Sequence, residues 1–373
     1  MKRHLPLTIT ITVVGILLVA VSVEARQYQI ERLGSLGGGY ARARSVSNSG
    51  QIVGEALIPV QGSIEHAFTW KDGQINDLGT LGGAKSRAMD INDDGVVAGW
   101  ALNAGGTTKP VLWRDGSIEE LPTLGGATGV AWGVNDLGHA VGNSFISPSV
   151  YHATIWADGG ATDLGTLGGS YSIAYDINSD GVVVGGADNA AGKQRACLWT
   201  DGTRVDLGSI SGGSWDTARG INDNGQVILW GIPAGATENH AALWNGGAAD
   251  PVIDLGTFGG GESWAYGMNN LGNVVGWAEF SSGIYHAFSY DGLQMNDLGT
   301  LGGMFSSAYG VNNDGIVVGY AQDTTNSWYA ARWVPVPEPS GLCALAAGLG
   351  CLALILRRRR RQRQPARLPA HQV

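Results

Sequence analysis

The chain has 373 residues, 60 of them Gly, with 44% hydrophobic and only 15% charged residues. So much apolar material excludes a disordered glycine tract, and the regular spacing of Gly points to many tight turns instead. Between Arg26 and Pro335, 14 Lys and Arg stand against 30 Asp and Glu, about −16 net, a surface that repels phosphate backbones and argues against a nucleic-acid partner.

The N-terminus opens with a short basic stretch, Met1 to His4, followed by a mostly apolar run from Leu5 to Val23. Val23-Glu24-Ala25 presents small residues at the spacing that signal peptidase reads, so residues 1–25 are predicted to be a signal peptide cleaved after Ala25. The alternative is an uncleaved anchor helix; either carries the rest of the chain across the inner membrane.

From Leu33 onward the chain repeats. Leu-Gly-Thr-Leu-Gly-Gly starts at Leu78, Leu164 and Leu298, with variants at Leu33, Leu121, Leu207 and Leu255, and successive starts lie 45, 43, 43, 43, 48 and 43 residues apart. Each unit reads as four short strands, a to d. Strand a ends in a pair such as Ile91-Asn92, and a β-branched strand b follows, as in Val96 to Trp100. Strand c ends in an aromatic (Trp70, Trp113, Trp156, Trp199, Trp244, Tyr290, Trp333), and an Asp-Gly or Asn-Gly turn leads to strand d in six units. Such units leave no room for crossover helices, so the sheets are antiparallel. A single sheet cannot bury both faces, so the units must pack on one another.

The ends are complementary: Tyr28 to Leu33 is a strand d with nothing before it, and the last unit stops after strand c at Trp333. Pairing them closes a ring, which predicts an all-β, seven-bladed β-propeller over residues 26–335. Cys197 is the only cysteine of that region, Cys343 and Cys351 lying beyond it, so no internal disulfide supports the ring.

The chain ends with Val336, Pro337, Glu338, Pro339 and Ser340, an apolar run from Gly341 to Leu356, and an arginine block from Arg357 to Arg361. Sixteen helical residues rise about 24 Å, slightly short of a bilayer core, and the arginines favour a cytoplasmic end. This order resembles the PEP-CTERM sorting signal, with Val336, Pro337, Glu338, Pro339, Arg357, Arg358 and Arg359 in the matching positions. The resemblance implies a Gram-negative bacterium, processing by an exosortase, a membrane-anchored intermediate and delivery to the cell surface or matrix, often beside exopolysaccharide. Residues 336–361 form this signal and 362–373 a cytoplasmic tail. The units also resemble the HAF extracellular repeats, through His66-Ala67-Phe68 and His286-Ala287-Phe288, decaying to His152-Ala153-Thr154 and His240-Ala241-Ala242. That resemblance implies export and says little about activity.

Candidate chemistry is sparse. Asp90 to Gly95 and Asp176 to Gly181 begin like calcium loops, but Ala101 and Ala187 stand where the acidic twelfth ligand belongs, so hairpin turns are expected. The recurrent His66, His152, His240 and His286 fall in different blades and read as structural hydrogen-bonders; no metal or cofactor is expected. No unit carries an evident unique acid, base or nucleophile, so no catalytic residues are assigned. Just past the Gly pair, five units carry an aromatic, Tyr40, Tyr171, Trp215, Trp264 and Phe305. These are the candidate binding residues, placed where rings at a concave mouth can stack on sugars. The reading is an exported, non-enzymatic surface protein that binds a glycan, an exopolysaccharide included, or a protein through one face. The alternatives are a propeller-fold lyase or glycosidase and a purely structural surface protein.

Overall fold

In the computed structural model the described residues are 27–60, 64–208, 213–247 and 250–337. They form seven four-stranded antiparallel sheets arranged as a closed propeller. Blade 1 comprises β2 (Ala41–Val46), β3 (Ile52–Leu57), β4 (Glu65–Lys71) and β5 (Gln74–Gly79), following β1 (Tyr28–Gly34). Blade 2 holds β6 (Gly82–Ile91), β7 (Val97–Asn103), β8 (Thr108–Arg114) and β9 (Ser117–Glu120). Blade 3 holds β10 (Gly129–Val134), β11 (Ala140–Ser147), β12 (Val150–Ala157) and β13 (Gly160–Asp163). Blade 4 holds β14 (Gly168–Ile177), β15 (Val183–Asn189), β16 (Gln194–Thr200) and β17 (Thr203–Asp206). Blade 5 holds β18 (Ser214–Ile221), β19 (Val227–Ile232), β20 (His240–Trp244) and β21 (Val252–Gly256). Blade 6 holds β22 (Gly259–Met268), β23 (Val274–Phe280), β24 (Tyr285–Tyr290) and β25 (Met295–Asp297). Blade 7 combines β26 (Gly302–Val311), β27 (Val317–Asp323) and β28 (Trp328–Pro335) with β1.

The closure expected from the chain ends is present: β1 pairs antiparallel with β28 from Tyr28 opposite Pro335 to Gly34 opposite Ala330. Glu31 and Arg332 add an ion pair at 2.7 Å. The signal peptide with Ala25, and Glu338, Pro339 and Arg357 to Arg359, lie outside the described residues. Val336 and Pro337 are described, and the Val336 N–H donates to the Gln27 carbonyl at 2.8 Å, extending the closing ladder by one bond.

Packing explains why each blade needs its neighbours. Among the described residues there are seven apolar clusters, each drawn from two adjacent blades. One, for example, sets Val53 and Ala67 of blade 1 against Ala88, Val97 and Trp113 of blade 2. The cluster between blades 7 and 1 includes Leu33 of β1. The aromatics that end strand c are buried in every blade, from Trp333 at 0% exposure to Tyr290 at 9%.

Close approach within the blade dictates a glycine in strand b. A Cβ on Gly276 would sit 1.8 Å from the Trp264 carbonyl oxygen, and one on Gly54 would sit 1.9 Å from that of Arg42. Blade 5 has Leu229 there instead, and its β18–β19 ladder slips between Trp215 and Thr217. The strand c–d hairpins of blades 1 to 4 place both central residues at positive φ, such as Asp72 at 49° and Gly73 at 84°, the geometry that selects Asp-Gly. At the corresponding turns of blades 5 and 6 only Gly246 and Gly292 are left-handed.

Candidate functional site

Most of the repeated polar residues brace the ring. The Asn that ends strand a accepts N–H bonds from its own turn and donates across to the next blade. Asn92 reaches the Asn135 carbonyl at 2.9 Å, Asn135 reaches Asn178 at 3.0 Å, and Asn269 reaches Asn312 at 2.8 Å. Asn312 closes the circle onto the Ser47 carbonyl at 3.1 Å. The recurrent histidines pair with the Asp of strand d: His66 with Asp77 at 2.8 Å, and likewise His152 with Asp163, His240 with Asp254 and His286 with Asp297. The same place holds Lys109 with Glu120 and Arg195 with Asp206 in blades 2 and 4. In blade 7 the polarity is reversed, with Arg32 of β1 over the Tyr329 ring. These are clasps between strands c and d, in keeping with a structural reading of the histidines.

The five aromatics named from the sequence occupy four environments. Tyr171 is exposed and lies 5.1 Å from Tyr151, which lies 5.5 Å from Phe145, a small group on blades 3 and 4. Tyr40 is half-buried near Arg42. Trp215 is only 2% exposed and packs with Leu207, Ala218 and Leu229 in the core between blades 4 and 5. It therefore does not project into the mouth as its position after the Gly pair suggests. Leu229, in the same core cluster and opposite Ala218, replaces the usual glycine, and the ladder slips so that Trp215 lies opposite Gly231 with its indole turned in.

Trp264 and Phe305 belong to something larger. They join a closed circuit of half-buried rings on blades 5 to 7: Trp230, Trp264, Trp277, Tyr285 and Phe305, returning through Trp328, Tyr320, Tyr309 and Tyr266. Successive ring centroids lie between 3.8 and 6.4 Å apart. The circuit draws on strands a, b and c of blades 5 to 7, with Tyr266 and Tyr309 on the channel lining. The sequence pattern just past the Gly pair misses most of it. The missing signal was the strand-b residue one past the close-approach position, which is aromatic in blades 5 to 7 (Trp230, here after Leu229, Trp277 and Tyr320) and in blade 2 (Trp100), but Glu55, Asn143 and Gly186 in blades 1, 3 and 4.

Arg42 extends the platform by stacking 4.7 Å from the Tyr320 centroid. Glu55, 1% exposed, holds Arg44 through two hydrogen bonds of 2.9 and 2.8 Å. Burial pushes the Tyr266 and Tyr320 phenols upward, so both are neutral hydrogen-bonding groups at physiological pH. Glu262 accepts from the Trp264 indole N–H at 3.4 Å, and Glu279 accepts from the Gly261 N–H at 2.8 Å.

The channel is the second concavity. Strand a lines it, and its channel-facing residues differ from blade to blade: Arg44, Met89, Trp132, Tyr175, Arg219, Tyr266 and Tyr309. The residue just before each of these is an alanine of 0% exposure in all seven blades, from Ala43 to Ala308. Two carboxylates sit on this lining. Asp90 accepts from Ser45 Oγ at 2.7 Å and the Val134 N–H at 2.9 Å. Asp176 accepts from the N–H groups of Ile221 and Ile177 at 2.9 and 2.8 Å. Desolvation, with the Asp90 charge second, pushes the Asp176 carboxyl up to about 7. Among the described residues no three His, Cys, Asp or Glu side chains form a metal-binding group.

No known protein family and no curated protein matches this sequence. Among solved structures, a puromycin-hydrolysing peptidase from Mycobacterium tuberculosis is similar at 10% identity and a TM-score of 0.51, over 82% of this chain and 55% of that one. TolB from Acinetobacter baumannii is similar at 12% identity and a TM-score of 0.44, over 78% of this chain and 64% of that one. A gluconolactonase from Xanthomonas campestris is similar at 12% identity and a TM-score of 0.39, over 84% and 96%. The chain thus spans less than two thirds of the peptidase and of TolB. At such identities the likeness defines a β-propeller and nothing narrower.

Proposed function

We propose that this is an exported, non-enzymatic surface or matrix protein that binds a neutral glycan through the aromatic sector of blades 5 to 7. The observation that carries this reading is the closed circuit of nine half-buried rings from Trp230 to Trp328. Rings held by one another lose little entropy on binding and offer flat apolar faces for sugar C–H groups. Tyr266, Tyr285, Tyr309 and Tyr320 supply hydroxyls beside those faces, as sugar hydroxyls require. Glu262 and Glu279 at the rim, and the acidic charge of the repeat region, favour a neutral polymer over an anionic one. Export, exosortase processing and surface delivery rest on the signal peptide and on the sorting tail from Val336 to Arg361.

The test is affinity electrophoresis of the protein through gels containing neutral polysaccharides, including the producer's own extracellular polymer. Trp277→Ala combined with Trp328→Ala should abolish retardation, while the melting temperature shows that the ring persists. Retardation unchanged in a folded double variant would remove the platform as the binding face, and failure of the parent to be retarded by any glycan would remove the reading.

A further inference from the structure

The seven units agree wherever they build the scaffold and disagree where they face the channel. Ala43, Ala88, Ala131, Ala174, Ala218, Ala265 and Ala308 are the same residue, while the next position along strand a is Arg, Met, Trp, Tyr, Arg, Tyr and Tyr. A spacer has no need of such asymmetry at the axis, because a ring of one residue type would fill it equally well. Binding sites break symmetry, since each part of a ligand needs its own partner.

Arg219 is the decisive residue. Its guanidinium projects into the channel over the Tyr175 ring at 4.1 Å, with the rings of Trp132 at 5.6 Å and Tyr266 at 5.9 Å. It forms no ion pair or hydrogen bond among the described residues, whereas its counterpart Arg44 makes a two-bond ion pair with the Glu55 carboxylate. The channel carboxylates are already occupied: Asp90 receives Ser45 and Val134, and Asp176 receives Ile221 and Ile177. Asp176 acts on Arg219 only at a distance, with no ion pair between them, and a desolvated cation without a counter-charge in contact is costly; burial lowers the Arg219 pKa. An anion arriving from solution supplies the missing charge.

The surroundings define which anion. A planar guanidinium matches a carboxylate through two parallel hydrogen bonds. Asp90 and Asp176 nearby disfavour a doubly charged phosphate and tolerate a single charge better. Tyr175, Tyr266 and Tyr309 offer ring faces and hydroxyls for a polyhydroxylated body. The cavity is roughly 130 Å³, suited to one compact group and not to a chain. It continues toward the mouth formed by the strand a–b turns at Asn48, Asp93 and Asn313, sharing Ser45, Asp90 and Asp176 with it.

We infer that the channel is a binding site for a single sugar acid, its carboxylate on Arg219 and its ring among Tyr175, Tyr266 and Tyr309. This site shares Tyr266 and Tyr309 with the aromatic circuit but is centred on Arg219 and Tyr175, which the circuit does not include.

The experiment is isothermal titration of the full chain with D-glucuronate, D-glucose and acetate at concentrations up to about 10 mM. Glucuronate is expected to bind, with glucose and acetate each weaker by about tenfold or more. Arg219→Gln should weaken glucuronate about tenfold or more, with Arg219→Lys in between because it keeps the charge and loses the fork. Retardation by neutral polysaccharide should be unchanged in Arg219→Gln, which separates this site from the platform. If Arg219→Gln does not fold, Tyr175→Phe provides the second reading, with a smaller loss for glucuronate. Failure of glucuronate to bind the parent, equal binding by acetate, or undiminished binding by a folded Arg219→Gln would each overturn the proposal.

Discussion

Shortening the N-terminal strand tests the ring most directly. β1 contributes Leu33, 5% exposed, to the core between blades 7 and 1, while Tyr28 and Ile30 pack on the core between blades 6 and 7. Leu33→Ala removes a buried side chain whose cavity the rigid sheets cannot refill, at a cost of about 2–5 kcal/mol. At roughly 2 °C per kcal/mol for a domain this large, the melting temperature should fall by about 4–10 °C. Gln29, exposed on the same strand, is the control: Gln29→Ala should stay within about 0.5 kcal/mol. Deleting Gln27 to Gly34 goes further, because it removes the Glu31–Arg332 ion pair and the ladder from Tyr28 to Gly34. It also leaves β28 as an open edge, which invites association with other chains. Thermal melts followed by fluorescence, with light scattering for aggregation, read both effects. A deletion variant that melts with the parent and stays monomeric would refute closure by this strand.

Two further outcomes follow from the polar contacts. Asn269→Ala removes the donor to the Asn312 carbonyl and the acceptor for the Leu271 and Asn273 N–H groups, and stranded buried groups of this kind cost about 1–3 kcal/mol; urea denaturation with an unchanged midpoint would remove the inter-blade role of the Asn circle. Asp176, raised to about 7 in the folded protein against an unfolded value of about 3.9, binds its proton more tightly when folded. Its contribution to stability is complete below pH of about 4 and is lost as pH rises through about 7. Melting temperatures measured between pH 5 and 8 should therefore decline with pH from this group, and the slope should flatten in Asp176→Asn; an unchanged slope would show that the carboxyl is not perturbed.

The seven units, the four strands in each and the interlocking ends were legible in the sequence because all of them depend on local or periodic signals. Asp72-Gly73 specifies its own hairpin through left-handed backbone angles, and the offset between Tyr28 and Trp333 shows which strand is missing from the last blade. The Asn of each strand a was legible only as a turn residue; that its amide reaches the next blade's carbonyl depends on how the blades stack. The same holds for the aromatics. Trp215 and Trp264 look alike beside a Gly pair, yet one is in the core and the other is half-buried among rings, because the ladder of blade 5 slips between Trp215 and Thr217. Trp264 meets Trp230 of blade 5, and Arg219 meets Trp132, Tyr175 and Tyr266 of three other blades. Local backbone preference decides the blade, but which side chains converge is decided by contacts between blades, and only the closed ring brings those residues together.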